Sequence, residues 1–145
     1  MAKGIVRKID ELGRLTIPME LRKAIEAGKR QSLGMYMENG ILFLFKVDSD
    51  FKGFTRDLDE LGRWTLPSEI RNMLSCEPRQ KMDMYIENSH EYEHTKVICI
   101  RKIGCTICSN IDNVIEVKGH MFCDECATEI KDELQRITSG PARTA

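Results

Sequence analysis

The chain has 145 residues, of which 31% are charged and 41% hydrophobic, and its formal net charge at pH 7 is −1. This near balance argues against a non-specific nucleic-acid coat, although the net charge changes from +2 over residues 1–50 to −3 over residues 103–145. Without a long apolar run or a secretory signal, we expect no membrane span and a cytoplasmic location, where the six cysteines indicate metal binding rather than disulfides.

An internal repeat with an offset of 49 residues organises most of the chain. It runs without a gap from Gly4/Gly53 to Asn39/Asn88, and 17 of the 36 aligned pairs are identical. One copy is close to the size at which a single hydrophobic core is marginal, so each copy needs the other. We therefore predict a first repeat over residues 1–50, a second repeat over residues 51–102, a cysteine finger over residues 103–137 and a flexible tail over residues 138–145.

The first repeat predicts the order β-β-α-β-β. Its elements are expected in chain order at residues 4–9, 14–17, 19–26, 32–38 and 41–46. The first two strands are predicted to form a hairpin, and Pro18 fits the start of the helix, which Gly28 would end. Asn39-Gly40 predicts a tight turn, and the last strand is apolar enough to be buried on both faces.

The second repeat predicts the same order. Its elements are expected near residues 53–58, 63–66, 68–75, 81–87 and 97–102. Its last turn is longer, because Ser89 to Thr95 replace the tight Asn-Gly turn. Only residues 47–52 join the copies, and such a short linker favours two neighbours in space. We expect a mainly β fold with short helices.

The stretch GIVRKIDELGRLTIPMELRK, residues 4–23, resembles the AbrB/MazE-like swapped-hairpin family, the SpoVT-AbrB type of transcription regulator. The resemblance is close in the first repeat and weaker in the second. It implies two swapped-hairpin units interlaced into a double-psi-like small barrel, with arginines of both units facing double-stranded DNA. A tandem copy in one chain is also similar to MraZ-type regulators, in which the two units of one chain pack together.

The resemblance carries DNA contact onto basic residues of both repeats. The candidates are Arg7, Lys8, Arg14, Arg22, Lys23, Arg56, Arg63 and Arg71. Such residues neutralise phosphates, and arginine can read guanine edges. Asp57 and Asn72 stand at the second-repeat positions of Lys8 and Lys23, so we expect the second repeat to bind DNA less well or differently.

The residues alone also permit a different interpretation of these charges. They could form an ordinary solvated surface, in which Asp10 pairs with Arg14 or Glu20 pairs with Lys23.

Four cysteines have the spacing of a metal site. They are Cys105, Cys108, Cys123 and Cys126, in the pattern C-x2-C-x14-C-x2-C. Two such pairs, the second in the first turn of a helix, can bind one ion tetrahedrally. We predict structural Zn²⁺, because four ligands leave no open position for a substrate. An iron centre and unligated thiols remain alternatives.

The finger is predicted to contain a hairpin over residues 114–122 and a helix that ends near residue 137. This arrangement resembles a treble clef, and Met121 to Ile130 are similar to the zinc-binding domain that opens Clp-type unfoldases. That resemblance implies protein binding or dimerisation, and the net charge of −3 agrees with a protein-facing surface.

The remaining cysteines and histidines predict little chemistry. We expect Cys76 and Cys99 to be buried small hydrophobic residues. His90 and His94 could bind metal, but they fall in a predicted loop, and His120 is a possible substitute ligand beside the cysteines.

The sequence thus predicts a DNA-binding transcriptional regulator, a homo-oligomer in which the zinc finger serves dimerisation or protein interaction. We do not expect an enzyme, because no Ser/His/Asp set, Gly-rich phosphate loop or open metal site is found. Two alternatives remain open. One is a MazE-type antitoxin that binds DNA and a toxin. The other is an adaptor or antirepressor that does not bind DNA, as the loss of a cation at both Asp57 and Asn72 would suggest.

Overall fold

The computed structural model describes residues 2–89, 95–118 and 120–139, which divide into two compact units. The first, Ala2–Lys102, is called the main unit here. The second begins at Ile103 and is called the cysteine unit. The fold is mainly β with short helices, as predicted.

Each half of the main unit has the order β-β-α-β-β. The first half contains β1 (Ile5–Lys8), β2 (Arg14–Thr16), α1 (Met19–Ala24), β3 (Ser32–Glu38) and β4 (Ile41–Lys46). The second half contains β5 (Thr55–Asp57), β6 (Arg63–Thr65), α2 (Ser68–Leu74), β7 (Lys81–Asn88) and β8 (Lys96–Lys102). Six strands form one sheet in the order β1-β7-β8-β4-β3-β5, and β2 and β6 form a separate pair.

The two repeats exchange their first and second strands. Strand β1 pairs antiparallel with β7 of the second repeat, β5 pairs with β3 of the first repeat, and β2 pairs with β6. The prediction that residues 4–17 form a hairpin of their own is therefore wrong, because both strands have their ladder partners in the other repeat. Alternation and turn signals locate a strand in the sequence, but they do not identify the strand that pairs with it.

Backbone hydrogen bonds outside the ladders follow the same exchange. Four of these hydrogen bonds form two pairs, and the two bonds of a pair are related by the 49-residue offset. Their N···O distances are 2.9 to 3.0 Å. The N–H groups of Ile9, Leu58, Ile17 and Leu66 donate to the carbonyls of Gln80, Gln31, Gly62 and Gly13, respectively. Buried backbone groups need such partners, so each repeat satisfies groups that the other leaves open.

The hydrophobic core draws on both repeats. Its fully buried side chains include Leu15, Ile17, Leu33, Leu42 and Leu44 from the first repeat and Trp64, Leu66, Met82, Met84, Ile98 and Ile100 from the second. Leu15 lies directly opposite Trp64 across the β2–β6 pair. Burial of each aliphatic side chain contributes about 1.5–3 kcal/mol to folding, and half of this set would be missing from a single repeat.

Strand β4 buries one face only, which corrects the prediction of burial on both faces. Leu42 and Leu44 are fully buried in the core, whereas Phe43 and Phe45 on the other face are half-buried. The ring of Tyr36 stacks on Phe43 with centroids 4.7 Å apart. On this second face, Phe43 and Phe45 pack against a separate cluster of buried side chains formed by Tyr85, Val97 and Cys99.

Helix α1 ends at Ala24, and Gly28 does not form its C-cap as predicted. Glu26 adopts the left-handed conformation instead, with φ of 58°, and Ser75 does so at the same position of the second repeat, with φ of 53°. The N–H of Ala27 donates to the carbonyl of Arg22 at 2.8 Å and closes the turn. The end of the helix is therefore set by this hydrogen bond and not by a glycine.

An ion pair is buried between β7 and β8. The carboxylate of Asp83 is 0% exposed, and it lies 3.1 Å from Nε of Arg101, which is 6% exposed. The backbone N–H groups of Lys3 and Gly4 donate to the same carboxylate at 2.8 and 2.9 Å. Asp83 therefore compensates its burial with three hydrogen bonds and fixes the beginning of β1 against β7.

The cysteine unit contains a hairpin and one helix, as predicted. Strands β9 (Val114–Val117) and β10 (His120–Cys123) pair antiparallel, and α3 spans Asp124–Ser139. The helix continues through Thr138 and Ser139, where we predicted the flexible tail to begin. In the described part of the chain, every helix is too short or too polar to cross a membrane.

We predict that Asp83→Gly lowers the free energy of unfolding of the main unit by about 3–5 kcal/mol, because it buries the Arg101 guanidinium without its carboxylate. The double variant Asp83→Gly/Arg101→Phe should recover the part of this loss that the unpaired guanidinium causes, but not the part due to the lost acceptor of the Lys3 and Gly4 N–H groups. It installs the pair formed at the same register of the first repeat by Gly34 and Phe45. Urea unfolding measures both variants, and a double variant no more stable than the single one would contradict the prediction.

Candidate nucleic-acid interface and metal centre

Each repeat places an Asp–Arg pair at the turn after its first strand. The carboxylate of Asp10 accepts hydrogen bonds from the N–H groups of Leu12 at 2.9 Å and Arg14 at 2.8 Å. Its second oxygen lies 2.7 Å from Nε of Arg14, and Asp59 holds Arg63 in the same way at 2.6 Å. The Asp10–Arg14 pairing considered as an alternative is therefore formed, and it fixes the direction of a half-exposed guanidinium.

The same contacts keep both carboxylates ionised. Burial opposes ionisation of Asp10, but the N–H of Arg14 and its guanidinium outweigh that effect and lower the pKa below the ordinary 3.8. The pKa of Asp59 is lowered for the same reasons by Arg63. The two pairs thus remain charged at neutral pH.

The arginines of the helices cross to the turn of the other repeat. Gly13 has φ of +80°, and Nη1 of Arg71 lies 2.9 Å from the position that a Cβ would take there. Gly62 has φ of +78°, and Cζ of Arg22 lies 2.7 Å from the equivalent position. Only glycine combines this conformation with such a close approach. Each turn therefore joins one arginine of its own repeat to one from the other repeat.

Arg22 and Arg71 differ in their hydrogen bonds. Nε of Arg22 donates to the carbonyl of Ile17 at 3.0 Å. Nε of Arg71 is buried and has no hydrogen-bond partner among the described residues. Both side chains are half-buried, so they support the turns as well as adding positive charge.

The other four DNA candidates are exposed. Arg7 and Lys8 lie on β1, Lys23 on α1 and Arg56 on β5, and no ion pair engages them in the described ranges. The Glu20–Lys23 pair considered from the sequence is accordingly not formed there. The guanidinium of Arg56 lies 4.7 Å from the ring centroid of Phe54, which is 53% exposed. Among the eight candidates, these four side chains are therefore the ones most accessible to a ligand.

The edges of the six-stranded sheet carry different charges. At the β1–β7 edge, Lys8 lies directly opposite Lys81. At the β5–β3 edge, Asp57 lies opposite Ser32, whose Oγ donates to the carboxylate at 2.5 Å. Lys81 was missed in the sequence, although the 49-residue offset aligns it with Ser32 and shows a gain of charge.

The four predicted metal ligands lie together in the cysteine unit. The Sγ atoms of Cys105, Cys108, Cys123 and Cys126 are all within 4.8 Å of one another, and those of Cys108 and Cys123 are 3.6 Å apart. A tetrahedral ion with Zn–S bonds of about 2.3 Å holds its sulfurs roughly 3.8 Å apart. The donor set therefore fits a structural zinc site.

Local backbone geometry prepares this site. The N–H of Ser109 donates to the carbonyl of Cys105 at 2.9 Å and forms a tight knuckle. Burial opposes ionisation of Cys105, but the N–H groups of Cys108, Cys123 and Ile107 outweigh it and lower the pKa from 9.0 to about 6. Hydrogen bonding with the Cys123 thiol raises the pKa of Cys126, with burial as the next cause. One thiolate is thus favoured by the protein, and a cation would stabilise the others.

The remaining cysteines and histidines lie outside this cluster. Cys99 is fully buried, and burial raises the pKa of its thiol to about 12. Cys76 is half-buried, with Sγ 3.8 Å from Sδ of Met82. His120 is exposed and does not belong to the sulfur cluster. The His90/His94 pair lies outside the described residues.

Part of the chain is similar to two regulators of Bacillus subtilis (strain 168). It is 44% identical over 43 residues to the transition state regulatory protein AbrB and 40% identical over 43 residues to the putative transition state regulator Abh. The chain therefore contains an AbrB-like segment. That segment is 30% of this chain and 45% and 47% of the two relatives, so the chain spans about half the length of the curated relatives it matches. No family model and no solved structure match the chain.

We predict that the purified chain carries one Zn²⁺ and that Cys123→Ser loses it, because three thiolates cannot complete the tetrahedral set. Cys76→Ser, which changes a half-buried cysteine of the main unit, should retain the metal. Elemental analysis measures the content, and thermal unfolding should show that chelation melts the cysteine unit alone. Stoichiometric iron, or no stoichiometric metal in the wild-type chain, would contradict the zinc assignment.

Proposed function

We propose that this chain is a DNA-binding transcriptional regulator whose main unit is a tandem duplicate of an AbrB-like swapped-hairpin domain, closed into a double-psi-like small barrel. The observation that carries the proposal is the pair of Asp–Arg turns, each completed by an arginine from the other repeat. The names of the two Bacillus relatives, both transition state regulators, support it.

The turns have the chemistry that nucleic-acid contact requires. The Asp10 and Asp59 ion pairs engage Nε of Arg14 and Arg63. The terminal nitrogens of each guanidinium can then reach a phosphate or the O6/N7 edge of guanine. Because the carboxylate has already fixed the side chain, binding costs less rotamer entropy than it would for a mobile arginine.

Exposed cations beside the turns would supply sequence-independent attraction. Arg7, Lys8, Lys23 and Arg56 each add one positive charge, and each phosphate that they neutralise releases counterions. With a chain charge of −1, DNA binding depends on this local set and not on the overall charge.

A regulatory role requires no catalytic centre, and a four-thiolate zinc site would offer no open position for a substrate. We therefore propose that the chain is not an enzyme. We also propose that it acts in the cytoplasm, where thiols stay reduced and can bind a metal.

We predict that Arg7→Ala/Lys23→Ala weakens binding to a random-sequence DNA duplex, because both exposed cations would contact phosphates. The slope of log K against log salt concentration should become less negative by about 2, roughly one for each contact. Fluorescence anisotropy over a series of NaCl concentrations measures this. Lys131→Ala, which removes an exposed lysine from α3, should leave the slope unchanged.

A second function would follow from the opposite result. If the wild-type chain shows no salt-dependent DNA binding, it is better described as an adaptor or antirepressor. The hydrogen-bonded carboxylate of Asp57, in place of a cation, is the observation that favours this second candidate.

We further propose that the cysteine unit is a protein-interaction surface that makes the regulator a homo-oligomer. It exposes an unusual share of large apolar side chains for its size. These are Ile107, Ile111, Ile115, Val117, Ile130, Leu134 and Ile137, each between 38% and 59% exposed. The last three recur at helical spacing along α3 and form a continuous apolar stripe.

We predict that Leu134→Glu reduces the size of the assembly, because it places a charge in the centre of this stripe. Gln135→Glu, which adds the same charge at an exposed neighbouring position, should leave the size unchanged. Light scattering after size exclusion measures both variants. A wild-type chain that is monomeric at all concentrations would contradict the oligomer.

A further inference from the structure

We propose that Lys8 and Lys81 together form a phosphate-binding pair at one edge of the main unit, a pair that the opposite edge, with Asp57 and Ser32 at the same positions, lacks. The inference rests on the proposed DNA-binding function, and it assigns this edge of the sheet to the phosphate backbone of the duplex. It also assigns a role to Lys81, which lies in the second repeat although the edge strand β1 belongs to the first.

The register of the sheet brings the two lysines together. Lys8 and Lys81 are direct antiparallel partners at the last paired position of β1 and the first of β7. Directly opposite residues project from the same face with Cβ atoms about 4.5–5.5 Å apart. Strand β1 is the edge strand of the six-stranded sheet, so one side of the pair has no further strand. The two ammonium groups can therefore converge on one anion.

The free protein gains nothing from this arrangement. Like charges directly opposite each other on neighbouring strands destabilise a sheet. Lys8 is exposed and Lys81 half-exposed, and the described residues place no carboxylate in an ion pair with either. A bridging phosphate oxygen removes the repulsion and accepts hydrogen bonds from both ammonium groups. The pair is therefore better suited to a bound state with an anion than to the free protein.

The opposite edge has the same backbone and the opposite chemistry. There Asp57 and Ser32 occupy the positions related to Lys8 and Lys81 by the 49-residue offset. The Oγ of Ser32 donates to the Asp57 carboxylate at 2.5 Å, so this pair is satisfied internally. A phosphate placed there would meet an uncompensated negative charge. The two edges thus predict one orientation of the main unit on the duplex.

Salt-dependent DNA binding of the full chain tests the pair. Lys81→Ser copies the second-edge residue, and it should weaken binding to a random-sequence duplex several-fold and make the salt slope less negative by about 1. Lys46→Ser is the control, since it removes an exposed lysine from β4 of the same sheet. Ser32→Lys/Asp57→Lys builds the pair at the second edge and should make the slope more negative by about 1 to 2.

Thermal unfolding of the free proteins separates binding from folding. The midpoint of Lys81→Ser should equal or exceed that of the wild type, because a like-charge contact is lost. Two results would overturn the pair and leave the proposed function intact, provided that the wild type binds DNA. In the first, Lys81→Ser leaves the salt slope unchanged. In the second, Lys46→Ser makes the slope less negative by as much as Lys81→Ser does. A wild type without salt-dependent DNA binding would overturn both.

Inorganic phosphate distinguishes a free anion from the DNA backbone. We expect it to give only a small Lys81-dependent rise in the unfolding midpoint at equal ionic strength, because a free ion lacks the neighbouring phosphate contacts and the counterion release of a duplex. A Lys81-dependent rise together with an unchanged DNA slope would assign the pair to a free anion and overturn the inference.

Discussion

The exchange of edge strands between the repeats is the constraint on which the main unit depends. Strand β1 finds its ladder partner in β7, and β5 finds its partner in β3, so neither repeat satisfies its own backbone. The core follows the same rule, because Leu15 and Trp64 face each other across the pair formed by β2 and β6. Each Asp–Arg turn is likewise completed by a helix arginine from the other repeat. The candidate interface therefore exists only when both repeats are folded together.

Joining two such units in one chain allows the halves to differ. In a symmetric dimer every substitution occurs twice, whereas here a change in one repeat affects one end of the sheet. The pair formed by Gly34 and Phe45 in the first repeat is replaced by a buried ion pair of Asp83 and Arg101 in the second. The charge at the two sheet edges differs in the same way. The backbone keeps a pseudo-two-fold arrangement while the surface becomes directional.

The cysteine unit depends on a different kind of interaction. Few of its described apolar side chains are buried, and three of the buried residues are the cysteines Cys105, Cys123 and Cys126. So small a core supplies little folding free energy, which is why a unit of this size usually needs a metal or a partner. Its exposed isoleucines and leucine leave apolar surface for a second protein. The proposed zinc site and the proposed protein contact through the apolar stripe would each compensate for this small core.

The sequence by itself determined the repeat, the order of the elements and the four cysteines of the candidate metal site. Each of these is encoded locally, in the 49-residue offset, in hydrophobic alternation and in the spacing of Cys105 to Cys126. The partners of the strands were decided by the tertiary structure, because β1 has no local signal that selects β7. The positions of Arg22 and Arg71 over the glycine turns, and of Lys81 opposite Lys8, follow from that pairing. A sequence pattern shows which residues can pair, but only the fold brings positions more than 70 residues apart into one register.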